Sequence, residues 1–263
     1  MQYLWPIDSA CVSLPPPLIS CVSPVYGAPE LIPELVSRLQ KSIETIGLDY
    51  EIVLVDDCGP GDAWARIVAE ATRDPRVRGL RLTRNQGQHQ AIQVGLAYAR
   101  GEWVAVLDCD LQDRPEDLPA LWATAQATGA DQVLARREQR PDSWVARLGS
   151  WGFYVVLGSL TGRRHDAAVA NFGLYRRWLT TAVLAQPRRW PFFPLQARLA
   201  GGRVATVAVR PAARPSGASG YSLGRRLRLA GRVLASTVWP CPVHPQPAAY
   251  FVAETIPPTI APA

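Results

Sequence analysis

Nowhere in this 263-residue chain is there an uninterrupted run of about 18 apolar residues, the least that usually spans a bilayer. The N-terminus also lacks a charged segment leading into an apolar stretch and a small-residue cleavage site, so no secretory signal is expected. If a membrane matters to this protein, the protein is expected to lie on it. Cysteine is sparse: Cys11, Cys21, Cys58, Cys109 and Cys241 form no close pairs of the kind that bind zinc. Three of them sit in or beside apolar runs, which points to a reduced, cytosolic protein. No Gly-x-Gly-x-x-Gly follows the first apolar strand, which argues against a nicotinamide dehydrogenase. Aromatic and basic residues do not interleave in a recognisable module, so nucleic acid is not an expected partner. Lysine is almost missing, because 27 of the 28 basic residues are arginine.

What is present is ordinary for a folded domain, with 48% hydrophobic and 19% charged residues. The net charge of +6 conceals a division. Residues 1–130 carry 10 Lys+Arg against 17 Asp+Glu, and residues 131–263 carry 18 against 5, giving −7 and +13. A basic half suits anionic lipid or a phosphate-bearing substrate, or is simply a solvated arginine-rich surface.

Residues 1–17, ending in three prolines, are expected to be a disordered lead-in. From residue 18 apolar runs of strand length alternate with helical patterns. Strands are expected over 18–23, 51–55, 77–82, 103–107 and 132–135, and helices over 30–46, 62–72, 88–99 and 115–128. This alternation predicts an α/β fold with a mostly parallel central sheet covered by helices on both faces, which binds ligands at the C-terminal ends of its strands. After 136 the rhythm changes to a helical stretch over 143–160, an extended 170–175, a helix over 193–200 and a strand over 203–209. A Gly/Ser-bearing loop over 210–219 follows. The segment 222–238 reads as an amphipathic helix, with Leu223, Leu227, Ala230, Val233 and Leu234 edged by Arg225, Arg226, Arg228 and Arg232. Such a stripe can lie in a membrane interface or pack on the domain. The Pro- and Ala-rich tail 239–263 is expected to be disordered.

The chemistry centres on Asp108-Cys109-Asp110, directly after an apolar strand. Two carboxylates emerging together repel unless a cation sits between them, and a hard divalent ion that also binds substrate phosphates resolves the conflict. Gln112 can add a neutral oxygen. Asp56 and Asp57 end an earlier apolar strand, where a carboxylate can accept hydrogen bonds from a base or ribose. Pro24, Val25 and Tyr26, at the exit of the first strand, can present backbone groups and a ring to the same base.

These pieces resemble the family-two glycosyltransferases of the GT-A fold, in the branch of dolichyl-phosphate mannose synthases and bacterial undecaprenyl-phosphate sugar transferases. The resemblance runs from about Leu18 to Val238. It is carried by Ser23-Pro24-Val25-Tyr26, Val55-Asp56-Asp57, Arg84-Asn85-Gln86-Gly87-Gln88, the run DCDLQDRPEDLP from Asp108, Ala170-Asn171-Phe172-Gly173 and Arg214-Pro215-Ser216-Gly217-Ala218-Ser219-Gly220-Tyr221. The domain proper is thus expected over 18–221.

The resemblance implies metal-assisted transfer of a sugar from a nucleotide diphosphate sugar to a polyprenyl phosphate, with inversion, peripheral on the cytoplasmic face of an anionic membrane. It implies that Asp108, Asp110 and Gln112 hold Mg²⁺ or Mn²⁺, that Asp57 contacts the base, and that Arg214, Ser219 and Tyr221 belong to a loop closing over the phosphates. Asp56, Gln88 and Cys109 complete the implied nucleotide-sugar site. Arg136 and Arg137, with Arg147, are implied to face the acceptor phosphate.

A phosphate monoester acceptor, with a second pKa of about 6, needs positioning rather than a base, so His89 and His165 read as structural. An alcohol acceptor would require a base, with Asp113 or Asp166 as candidates. In many relatives the loop reads Ser-Lys-Tyr; here Gly220 replaces the lysine, leaving Arg214 or Arg225 to compensate. Bacterial relatives often continue into transmembrane helices, which this chain does not show. A soluble acceptor or an inactive relative are the alternatives.

Overall fold

A computed structural model describes residues 18–138, 159, 169–186, 193–210, 212, 231 and 252–256. The expected strand–helix alternation forms, with bounds shifted by a residue or two: β1 (Ile19–Val25), α1 (Ile32–Glu44), β2 (Tyr50–Asp56), α2 (Ala63–Arg73), β3 (Val77–Leu82), α3 (Gln88–Tyr98), β4 (Trp103–Val106), α4 (Leu118–Thr128) and β5 (Gln132–Arg137). The helix expected over 30–46 begins as a 3₁₀ turn, Pro29–Leu31, because Pro29 and Pro33 supply no N–H groups and suit a helix entry. Next come β6 (Val169–Arg176), α5 (Arg177–Ala185), α6 (Phe193–Ala200), β7 (Val204–Val209) and β8 (Val252–Ile256).

The eight strands form one sheet in the order β7-β5-β6-β4-β1-β2-β3-β8. Four of the seven pairings are parallel, and β6 runs antiparallel between β4 and β5. Because side chains alternate across a strand, Ile52 and Leu54 face one helical layer while Val53 and Val55 face the other. The first layer is built on Leu35, Leu39 and Ile43 of α1, Ile67 of α2, and Leu118 and Leu121 of α4. The second is built on Ile92 and Val94 of α3, Leu179 and Val183 of α5, and Phe193 of α6.

Two expectations change. Helix α5 lies where no element was expected, since Arg176 passes from strand directly into helix without a Gly or Pro to mark the boundary. Strand β8 falls inside the tail expected to be disordered. Val252–Ile256 pairs antiparallel with the edge strand β3, and Ile256 packs against the first core layer. The amphipathic segment 222–238 and the lead-in 1–17 lie outside the described residues, apart from Gly231. Among the described residues no helix is long and apolar enough to cross a membrane.

Candidate active site

The strand exits at one edge of the sheet converge. β1, β2 and β4 run parallel, and β5 points the same way as β4 because each is antiparallel to β6. Their C-terminal ends, together with the start of β6, therefore share one edge. Backbone strain concentrates there: the three described non-glycine residues with positive φ are Ala28 (48°), Cys58 (53°) and Leu111 (59°), just beyond β1, β2 and β4 respectively. Left-handed backbone costs a non-glycine residue roughly 1–2 kcal/mol, so each must be held by its surroundings. Leu111 is held by its buried side chain, and Cys58 by its thiol, which donates to the Leu82 carbonyl over 2.9 Å.

Asp108 emerges from β4 and is gripped from two sides. Gln88 Nε2, at the start of α3, donates to Oδ1 over 2.6 Å, and Asn171 Nδ2, near the start of β6, lies 3.4 Å from Oδ2. Burial, then the Asp113 and Asp110 charges, push Asp108 up to about 7, against the Asn171 contact and the Arg137 charge. Asp110 accepts the Gln112 backbone N–H at 3.1 Å, and the Gln112 carbonyl accepts the Ala212 N–H at 3.1 Å. That clip fixes Ala212 at the run that begins with Asp108, two residues before Arg214 in sequence. Arg214, Ser219 and Tyr221 themselves lie outside the described residues, as do Arg147, His165 and Asp166.

The chemistry of this donor set fits a hard divalent cation. Asp108 and Asp110 supply carboxylate oxygens, and Asp108 is raised by burial first and then by the Asp113 and Asp110 charges. Among the described residues no group of three or more His, Cys, Asp or Glu could hold an ion by itself. Two carboxylates would leave positions for phosphate oxygens and water, as Mg²⁺ sites on nucleotide phosphates do.

Arg136 and Arg137, at the end of β5, part company. Arg136 is exposed. Arg137 Nη2 pairs with Asp113 Oδ1 at 2.9 Å, and Asp113 is only 4% exposed. Arg137 therefore neutralises a buried acid beside the Asp108–Asp110 run, and Asp113 is engaged as its counter-ion.

The other half of the edge is formed by Asp56 and Asp57. The 57 carboxylate is 1% exposed and accepts the N–H groups of Gln86 (2.6 Å) and Gly87 (2.9 Å), so it anchors the turn into α3. Gly87 has φ 88°, a conformation open to glycine at little cost, and it lets the chain turn sharply and place Gln88 on Asp108. Asp56 is 3% exposed, and its Oδ1 is buried without a hydrogen-bond partner. Burial raises its pKa, opposed by the Gly59 N–H and the Arg81 charge. A side chain on Gly59 would sit 2.7 Å from the Gly27 nitrogen, so the exits of β1 and β2 touch. Pro24 and Val25 are buried in this junction and Tyr26 is 55% exposed at its lip. Cys109 is half-buried beside it. His89 is pushed down to about 4 by burial and is neutral at physiological pH, in keeping with a structural role.

Sequence reasoning did not assign roles to Asn171, to the Arg137–Asp113 pair, or to Arg81. Asn171 stood in a motif that carried the resemblance, but its reach to Asp108 depends on the reversal of β6, which the sequence pattern does not declare.

A sheet of this order with acids at the exits of β2 and β4 is the GT-A architecture of nucleotide-sugar transferases. The fold is shared with glucosyl-3-phosphoglycerate synthase from Mycobacterium tuberculosis, solved with Mn²⁺, uridine diphosphate and phosphoglyceric acid: TM-score 0.62, 18% identity, 84% of this chain and 78% of that one. It is also shared with TarS 1-349 from S. aureus, solved with UDP-GlcNAc: TM-score 0.53, 20% identity, 84% and 66%.

Residues 20–184 match the model of glycosyl transferase family 2, and the chain belongs to that family. Over 213 residues it is 37% identical to undecaprenyl-phosphate 4-deoxy-4-formamido-L-arabinose transferase of Proteus mirabilis (strain HI4320), covering 80% of this chain and 65% of the relative. The transferase of the same name from Enterobacter sp. (strain 638) is 36% identical, with 80% and 64% covered. The chain thus spans slightly less than two thirds of the length of these curated relatives.

Proposed function

We propose that this protein transfers a sugar from a nucleotide diphosphate sugar to a polyprenyl phosphate, with inversion at the anomeric carbon, at the cytoplasmic face of a membrane. The observation that carries the reading is the placement of Asp108 and Asp110 beyond the end of β4 on the same sheet edge as the exposed Arg136 at the end of β5, with β6 between the two strands. Likeness to undecaprenyl-phosphate sugar transferases supports the acceptor class.

In this reading Asp108 and Asp110, with Gln112, hold Mg²⁺ or Mn²⁺ against the diphosphate. The bound ion supplies Lewis-acid stabilisation of the charge left on the departing diphosphate. Gln88 and Asn171 fix the Asp108 carboxylate, and Asp56 accepts hydrogen bonds from the base. The phosphate acceptor is largely dianionic at pH 7, so Arg136 has to orient it rather than deprotonate it. Arg214, two residues after Ala212 in sequence, is assigned in this reading to the diphosphate. A uridine diphosphate sugar is the first donor to try.

The test is transfer of radiolabelled sugar from a panel of nucleotide sugars, with Mg²⁺ or Mn²⁺, to undecaprenyl phosphate, for wild type and Asp110→Asn. Metal-dependent lipid product that falls by at least about 100-fold in the variant is the expected result. Equal product from both proteins would remove Asp110 from the reaction.

A further inference from the structure

The short strand β8 adds more than an edge to the sheet. Asp56 of β2 is in register with Arg81 of β3, and Arg81 is in register with Glu254 of β8, so three charged residues form one row across three strands. Arg81 Nη1 donates to Glu254 Oε1 at 3.0 Å. Its Nε lies 3.5 Å from Asp56 Oδ2, an ion pair too long for a good hydrogen bond. Glu254 is fixed in turn by Trp64 of α2, whose Nε1 donates to Oε2 at 3.0 Å, and the Arg81 guanidinium lies 5.9 Å from the Trp64 ring centroid. The strand is seated by more than charge: Ile256, in register with Gly79, packs against the first core layer. The arginine is thus drawn outward to Glu254, while Asp56 keeps a buried oxygen without a partner.

We propose that β8 is part of the donor site: Glu254 holds Arg81 off the Asp56 carboxylate, which keeps that carboxylate able to accept hydrogen bonds from the nucleobase. Arg81 and Glu254 are then positioning residues that act through Asp56. Without Glu254 the guanidinium closes on Asp56 as a full ion pair and competes with the base for its oxygens. The pair is partly exposed, with side-chain accessibilities of 41% and 52%, so solvent screening limits the effect to a few-fold in affinity. The inference rests on the donor-site reading given under Proposed function.

Calorimetric titration of the full chain with UDP, GDP and thymidine diphosphate in the presence of Mg²⁺ selects the tightest nucleotide. That nucleotide is then titrated into Glu254→Gln and the double variant Glu254→Gln/Arg81→Gln, with thermal unfolding followed alongside. The single variant is expected to bind about three- to fivefold more weakly, and the double variant to return to wild-type affinity or better, because the competing guanidinium has gone. Unchanged affinity in the single variant overturns the proposal. So does weakened binding that the double variant fails to restore, since β8 would then serve only as scaffolding. Failure of the wild type to bind any of the three nucleotides refutes the donor-site reading itself, and the proposal falls with it.

Discussion

At Asp108 the fold holds an acid that burial and the neighbouring Asp113 and Asp110 charges push up to about 7. In the unfolded chain an aspartate titrates near 3.9. Between those values the folded protein keeps a proton that the unfolded chain has released, so without a divalent ion stability falls as pH rises through this window and stays lower above it. Asp108→Asn removes the penalty. At pH 8 in chelator the variant should unfold at a higher temperature than wild type, by an amount on the order of 1–3 kcal/mol, and the gap should narrow toward pH 4. An equal or lower Tm at pH 8 would show that the carboxylate is not held against its own charge. The pairing of Asp108 with Asp110 was legible because two acids directly after an apolar strand have few scaffolding explanations. The separate surroundings of Asp56 and Asp57 were not, because adjacent acids are indistinguishable in sequence and only the structure shows Asp57 accepting the Gln86 and Gly87 N–H groups and Asp56 keeping a buried Oδ1 without a partner.

Among the elements, β2 shows how the scaffold is separated from the chemistry. Its Glu51, 1% exposed, lies at the opposite end of the strand from Asp56 and accepts bonds from Ser20 Oγ of β1 (2.7 Å), Arg78 Nη1 of β3 (2.8 Å), and Arg100 N (2.6 Å) and Nε (3.0 Å) in the turn before β4. Burial works to raise this acid, but Arg78, the Ser20 hydroxyl and Arg100 outweigh it and hold it below the ordinary glutamate range. Its contribution is therefore present at neutral pH and lost on acidification, the opposite sign to Asp108. Glu51→Ala leaves Arg78 facing an empty partner and should cost about 3–5 kcal/mol in urea unfolding at pH 7. A loss under about 1 kcal/mol would mean that the strands do not depend on this network.

The elements that escaped sequence reading were those without a local signal. Helix α5 has no start marker, and β8 is five residues in a segment without periodicity, specified by a partner strand about 170 residues earlier.

For the whole molecule, strand–helix alternation was enough to predict the sheet and the edge at which ligands bind, because period-two and period-3.6 patterns are local. The insertion of antiparallel β6 between β4 and β5 was not foreseeable from those patterns, yet it brings Asn171 to Asp108 and lets Arg137 at the end of β5 reach Asp113. The division of charge acquires a place in this frame. The acidic first half contributes Asp56, Asp108 and Asp110, and the basic second half contributes Arg136, while Arg137 offsets the buried Asp113. Under the proposed function, one side of the site would take a cation and the other an anion, as the proposed transfer from a diphosphate to a phosphate requires.

That requirement is tested most directly by comparing undecaprenyl phosphate with undecaprenol as acceptors in one assay, using the donor selected above, with and without divalent metal. The arrangement predicts lipid-linked sugar from the phosphate only, and only with metal, because Arg136 can orient a dianion while His89 is neutral and Asp113 is engaged by Arg137. Product from the alcohol, or from the phosphate in the absence of metal, would contradict it.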